Sequence, residues 1–264
     1  MTTDSTFNVW EGIYSSFAAA PASGSGFESD TWRDRSVQFA RETLAKLRAG
    51  HPLDYSLRQR NAILPTLAAV LMTQQTRIDI LDFGGGPGFG FMALSAAVPE
   101  AALRTNYYVV EIDQIGRAGE ALFADCPGPV FRTKMPSGKR FDIVYSSSTV
   151  QYIEDWRENV RLMAASKPRF LVYSDVFAGA GPSFVTLQNY YGSRIRHWFF
   201  NMNEFVSEVE SHGYVLGLRS TCEVQILGRH GPLPMDNFPE PYRLRNTLHL
   251  LFWREDASLA TADL

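Results

Sequence analysis

The sequence predicts an α/β fold: a mostly parallel sheet with an antiparallel pair at one edge, preceded by a helical segment. Three observations predict it. From Arg77 onward, short apolar runs alternate with amphipathic stretches, the pattern of parallel strands joined by right-handed helical crossovers. The run Ile80-Leu81-Asp82-Phe83 leads into five glycines within seven residues, Gly84, Gly85, Gly86, Gly88 and Gly90, and then into a helix-like run. Residues 1–75 read as helical.

Taken in order, Trp10, Ile13, Tyr14 and Phe17 have helical spacing and predict a short amphipathic helix. The small, Gly/Ser/Pro-rich stretch from Ala18 to Gly26 reads as a loop. A helix is expected over 31–49, with Val37, Ala40, Leu44 and Leu47 on one face and Gly50 and Pro52 as the stop. Ser56 and Gln59 form a capping-box pattern for the next helix, which Pro65 should kink or restart.

Strands are expected over 78–83, 107–112, 130–133, 141–145 and 170–176, with helices over 89–98 and 114–123 and a third capped by Asp155 and boxed by Glu158. The pattern loosens over 177–200. A helix boxed by Asn201 and Glu204 stops at Gly213. Strands at 214–218 (extending as far as Leu227) and 248–253 have no helix between them, hence the antiparallel pair. Two segments are expected: a helical cap over 1–75 and a sheet domain over 76–264.

Composition narrows the function. Apolar content of 45% and charged content of 20% fit an ordinary globular chain with a sizeable core. A net charge of −3 with scattered arginines gives no electrostatic case for nucleic acid as partner. No apolar run approaches the ~20 residues that span a bilayer. Residues 1–10 lack the basic and apolar regions of a secretory leader. Cys126 and Cys222 lie far apart without metal-ligand spacing and read as free thiols, so a cytoplasmic protein is expected.

The glycine loop suits a nucleotide-like ligand, because its backbone turns sharply and its N–H groups face the ligand. The dinucleotide fingerprint G-x-G-x-x-G fails: its third position is Phe89 counted from Gly84 and Phe91 counted from Gly86. A second acid should end the next strand and accept two ribose hydroxyls. Glu111 and Asp113 both qualify by position. Asp113 directly precedes a helix and suits its N-cap, which leaves Glu111 for the ribose.

The pattern Asp82-x-Gly84-x-Gly86-x-Gly88 resembles the motif of class I S-adenosylmethionine-dependent methyltransferases. The resemblance implies a Rossmann-like, seven-stranded fold with S-adenosylmethionine as cofactor. It places Asp82, Gly84, Gly85, Gly86 and Gly88 at the methionine end, Glu111 at the ribose, and Ser146 and Ser147 near the methionine amino group. A narrower resemblance is to a bacterial family of methyltransferases encoded beside surface-polysaccharide genes. It rests on Leu81-Asp82-Phe83-Gly84-Gly85, Val109-Val110-Glu111, Ser147-Ser148-Thr149-Val150-Gln151-Tyr152 and the segment from Gln188 to Phe200. The chain departs from that family at Ser174-Asp175-Val176, where an Asp-Arg pair is expected.

Methyl transfer to an oxygen benefits from a general base. His197, in an aromatic stretch before a helix, is the first candidate, and packing in a core is its alternative. Asp175, at the end of the fifth strand, could contact cofactor or substrate, with a strand-end turn residue as its alternative. Gln188, Tyr190 and Tyr191 could bind a polar acceptor, and Trp10, Tyr14 and Phe17 could form a lid. No metal-ligand cluster is legible. The expected reaction is O-methylation of a sugar or another small hydroxyl compound. A catalytically silent cofactor-binding module and a nicotinamide oxidoreductase are the rival readings, the latter disfavoured by the missing glycine.

Overall fold

The computed structural model describes residues 7–254. The expected leader-free N-terminus and the outer ends of both expected segments lie partly outside that range.

The chain opens with a strand, β1 (Trp10–Tyr14), where a helix is expected. Gly12, at φ 79°, breaks the helical path, and pairing with a distant strand takes over, Trp10 opposite Gln188. Helix α1 (Asp30–Arg48) follows, its Ser29 side chain accepting the Trp32 N–H at 3.1 Å. Helix α2 (Tyr55–Arg60) is capped by Asp54, whose Oδ1 accepts the Leu57 N–H at 3.2 Å. The expected Ser56 cap lies inside the helix instead. Helix α3 (Ile63–Gln74) restarts the chain with Pro65 in its first turn, where a missing N–H costs nothing. Leu64, Leu67 and Leu71 of α3 share one core with Ile78 and Ile80 of the sheet, so the helical segment is one of its covering layers.

The large sheet comes next: β2 (Ile78–Phe83), α4 (Phe89–Ala97), the single turn α5 (Ala101–Arg104), β3 (Thr105–Val110), α6 (Asp113–Leu122), β4 (Val130–Arg132), β5 (Ile143–Ser147), α7 (Trp156–Ala165) and β6 (Phe170–Val176). Asp155 caps α7 as expected, accepting the Glu158 N–H at 3.1 Å. Asp113 does not cap α6. It is the first helical residue, is exposed, and pairs with Arg117 at 2.8 Å.

Residues 177–200, where the sequence pattern loosens, form β7 (Ala178–Gly179), β8 (Phe184–Tyr190) and β9 (Ser193–Asn201). In β9, inward Ile195, His197 and Phe199 alternate with Arg194, Arg196 and Trp198, the period of a half-buried strand. The two-residue hairpin turn Tyr191-Gly192 has φ of 47° and 77°, which matches the twist of the strands it joins. Asn201 caps α8 (Met202–Glu210) by accepting the Asn203 and Glu204 N–H groups at 3.0 and 3.1 Å. Strands β10 (Tyr214–Cys222) and β11 (Thr247–Arg254) complete the chain.

The large sheet has the order β10-β11-β6-β5-β2-β3-β4, all parallel except β11, which runs antiparallel to both its neighbours. This is the mostly parallel, seven-stranded arrangement with an antiparallel edge that the sequence predicts. The α1, α3 and α4 side packs on one face, and Trp156 and Val160 of α7 with Phe205 of α8 pack on the other. The second sheet, β1-β8-β9-β7, stands beside the carboxyl ends of β5 and β6. Among the described residues no helix is long and apolar enough to cross a membrane.

Candidate active site

A cavity of about 560 Å³ opens at the carboxyl ends of β2, β3, β5 and β6. Ligands of open α/β sheets bind at this edge. Crossing four adjacent strands gives the cavity two ends: one at β2 and β3, the other at β5, β6 and the second sheet.

At the first end lies the glycine loop. Gly84 adopts φ 71°, and a Cβ built there would collide with Thr149. A Cβ on Gly90 would collide with Asp82 and the Tyr107 hydroxyl. The glycines thus let the loop lie close to Asp82 and leave a cradle open above it. Glu111 closes the cradle: its Oε2 accepts the Gly86 N–H at 3.0 Å and its Oε1 accepts its neighbour Ile112 at 2.8 Å. Burial pushes the Glu111 carboxyl up, and those two N–H groups oppose the shift. Asp82 accepts the Tyr107 hydroxyl at 2.7 Å through Oδ2, while its buried Oδ1 makes no hydrogen bond. Burial raises its pKa to about 7, against the hydrogen bond from Tyr107.

The Thr149 hydroxyl stands 2.8 Å from the Ser147 carbonyl and 3.2 Å from the Gly84 carbonyl, which ties the end of β5 to the loop. Ser147 lines the cavity, as expected. Ser146 does not: strand alternation turns it to the opposite face, where its hydroxyl is buried. Gly88 also stands off the cavity. At φ 99° it is the N-cap of α4 and packs toward Phe123.

At the second end, Asp175 is buried at the end of β6 and its carboxylate is fully engaged. Arg60 Nε donates to Oδ2 at 3.0 Å, the Ser148 hydroxyl donates to the same oxygen, and Thr247 Oγ1 donates to Oδ1 at 2.6 Å. Ser148 and Asp175 both sit in the left-handed region, at φ 53° and 54°. Non-glycine residues persist there only when their surroundings hold them. Burial raises the Asp175 pKa, but Arg60 and the two hydroxyls outweigh it and hold the carboxyl below its ordinary range. Asp175 therefore lines the cavity as an anchored anion.

His197 departs further from expectation. It is fully buried in β9, behind the cavity wall, with its ring 4.5 Å from Phe177 and 5.1 Å from Tyr152, centroid to centroid. Neither ring nitrogen has a hydrogen-bond partner, and burial lowers its pKa to about 3. It is a neutral imidazole and a weak base. The open wall here is aromatic: Phe27, Trp32, Tyr152, Tyr190 and Tyr191 line it, with the Tyr152 hydroxyl donating to Gln188 at 2.8 Å. Of the three expected lid residues, Trp10 lines the cavity, while Tyr14 and Phe17 pack with Trp198 on the other side of the second sheet.

Arg60, Thr149, Gln151, Phe27, Trp32 and Phe177 join the cavity without having been singled out for a role. Only Thr149 and Gln151 fell inside a motif, the Ser147–Tyr152 stretch. Among the described residues, no group of three or more His, Cys, Asp or Glu side chains stands together as a metal site.

No protein-family model matches the chain, and no curated protein matches it. Solved structures do. The chain is similar to the 1,6-didemethyltoxoflavin-N1-methyltransferase of Burkholderia thailandensis, solved with 1,6-didemethyltoxoflavin and S-adenosylhomocysteine bound. The TM-score is 0.54 and the identity 13%, over 85% of this chain and 91% of that one. The magnesium protoporphyrin IX methyltransferase of Synechocystis PCC 6803, solved with S-adenosylmethionine, aligns over 84% of this chain and 94% of that one, with a TM-score of 0.47 and 13% identity. At such identities the likeness is one of fold, and the first structure carries it. With its strand order, its glycine loop after β2 and this likeness, the chain has the Rossmann-like fold of class I S-adenosylmethionine-dependent methyltransferases.

Proposed function

We propose that this protein transfers a methyl group from S-adenosylmethionine to a small polar molecule. The observation that carries the reading is the Glu111–Gly86 hydrogen bond at the mouth of a glycine cradle, on this fold. The residues present fit the cofactor. Gly84, Gly85 and Gly86 line the cavity with bare backbone, Asp82 Oδ1 is buried without a partner among the described residues, and the cavity volume lies in the range of small-molecule sites.

Gly84, Gly85 and Gly86 would hold the methionine end with Asp82 and Ser147, and Glu111 would hold the ribose. Gly88 shapes the loop from behind, and Ser146 only supports the strand. S-adenosylmethionine, when bound, supplies a methyl group already activated for displacement. The chain's residues hold and orient. The β5–loop tie through Thr149 fixes the cradle, and the aromatic wall excludes water from the second end. Because Asp175 is anchored and His197 is a weak base, orientation is the main contribution this end makes.

A sugar or related hydroxyl compound as acceptor fits the family resemblance of the sequence and the polar groups at the second end. Helices α1 and α2, with Trp10, would act as the cap over the site, since Trp32, Phe39, Leu57 and Arg60 line the cavity, while α3 covers the sheet. Incubation with methyl-labelled S-adenosylmethionine and a panel of monosaccharides and nucleotide sugars tests the reading. Labelled product supports it, and cofactor binding without any product favours the silent module instead. Selective binding of NAD would favour the oxidoreductase.

A further inference from the structure

The second end of the cavity carries polar groups that the protein itself leaves unmatched. Trp10 and Gln151 both line it and are both almost fully buried, yet Trp10 Nε1 and Gln151 Oε1 make no hydrogen bond. His197 stands directly behind them, its ring 6.0 Å from Trp10, with both nitrogens also unmatched. Buried polar groups in native proteins are nearly always paired, because leaving one unpaired costs stability. Two of the three, Trp10 and Gln151, line the end of the cavity and form a set waiting for a partner, with His197 packed behind them.

The set has a definite chemistry. Trp10 offers one donor and Gln151 one acceptor. At the buried corner beside Gln151 the charges are Arg60 and Asp175, which pair with each other; Arg35, over the Tyr191 ring, is exposed at the cavity's rim. A buried ionic group would go uncompensated. Hydroxyl groups, which donate and accept, match the set.

Resting on the methyl-transfer reading above, we propose that the acceptor is an uncharged, hydroxyl-bearing molecule whose polar end is held by Trp10 Nε1 and Gln151 Oε1. His197 is then a positioning residue behind the site and not its base.

The test uses the full chain saturated with S-adenosylhomocysteine. Saturation-transfer NMR is run with the neutral methyl glycosides of glucose, galactose, mannose and N-acetylglucosamine, with myo-inositol, and with benzoate and inorganic phosphate as anionic probes. At least one neutral probe should bind saturably, and W10F and Q151L should each weaken it at least 5-fold, with S-adenosylhomocysteine affinity within 2-fold of the parent. H197F should weaken it while melting no lower than the parent, which separates loss of positioning from loss of the fold. Binding of no neutral probe, equal binding in the variants, or preference for benzoate or phosphate would overturn the proposal. Failure of S-adenosylhomocysteine to bind would instead strike the methyl-transfer reading, and the probe series would then be run on the cofactor-free protein.

Discussion

Arg60 Nε lies 3.0 Å from Asp175 Oδ2, and this one contact joins the helical segment to the end of β6. It brings an arginine to the place where the sequence, with Ser174-Asp175-Val176, departs from the expected Asp-Arg. The Asp175→Asn variant should be destabilised by on the order of 2 kcal/mol. That is less than the ~3–5 kcal/mol of a fully buried pair, because Arg60 stays partly in water. Because the folded-state pKa of Asp175 is lowered, its contribution is present above the ordinary carboxylate pKa and is lost as pH falls through the folded value. Urea melts of the two proteins at pH 7 and at acid pH should therefore converge as the pH drops.

Asp82 works in the opposite direction. Its pKa rises from 3.8 to about 7 on folding, so between those values the native state holds a proton that the unfolded chain has released. Stability from this group then falls as pH rises across that window, by at most ~4 kcal/mol. Asp82→Asn should flatten that slope in melts taken from pH 4 to 7.

His197 gives a third pH signature. Its pKa falls from 6.5 to about 3 on folding, so below pH 6.5 the unfolded chain takes up a proton that the native core refuses. Stability from this group is lost as pH falls through that range. H197F should remove this acid sensitivity and raise the melting temperature by a few degrees at pH 7, since an unpaired buried polar group costs ~1–3 kcal/mol. A lower melting temperature at neutral pH would show that the ring nitrogens find partners.

Asp113 separates position from role. It is exposed, pairs with Arg117 across a turn, and does not line the cavity at the strand ends. Asp113→Ala should change stability by under ~0.5 kcal/mol and leave S-adenosylhomocysteine affinity unchanged in calorimetry.

The glycine end of the cavity was legible in the sequence as a motif, whereas the second end was legible only as separate residues, Asp175, Gln188, Tyr190 and Tyr191, and not as an environment, for a physical reason. Gly84, Gly86 and Gly90 are demanded by local backbone path and close approach, so their residue types announce them. Glu111 follows because strand order fixes where the second strand ends. Trp10 misled because its helical spacing was overruled by pairing with Gln188 far along the chain. His197 was found as a residue, but its burial among Trp10, Phe177 and Phe199 decides its basicity, and that is a property of neighbours. Arg60 is an ordinary arginine in a short helix until β6 places Asp175 beside it. Ser146 and Ser147 were taken together, and only the phase of β5 separates them.

Binding of S-adenosylhomocysteine to the parent and to Glu111→Ala, measured by isothermal titration calorimetry with NAD as the competing ligand, tests the central claim most directly. The parent should bind S-adenosylhomocysteine and not NAD, and E111A should lose at least ~10-fold in affinity, as expected for a charged hydrogen bond worth ~1.5–3 kcal/mol. Preference for NAD, or undiminished S-adenosylhomocysteine affinity in E111A, would contradict it.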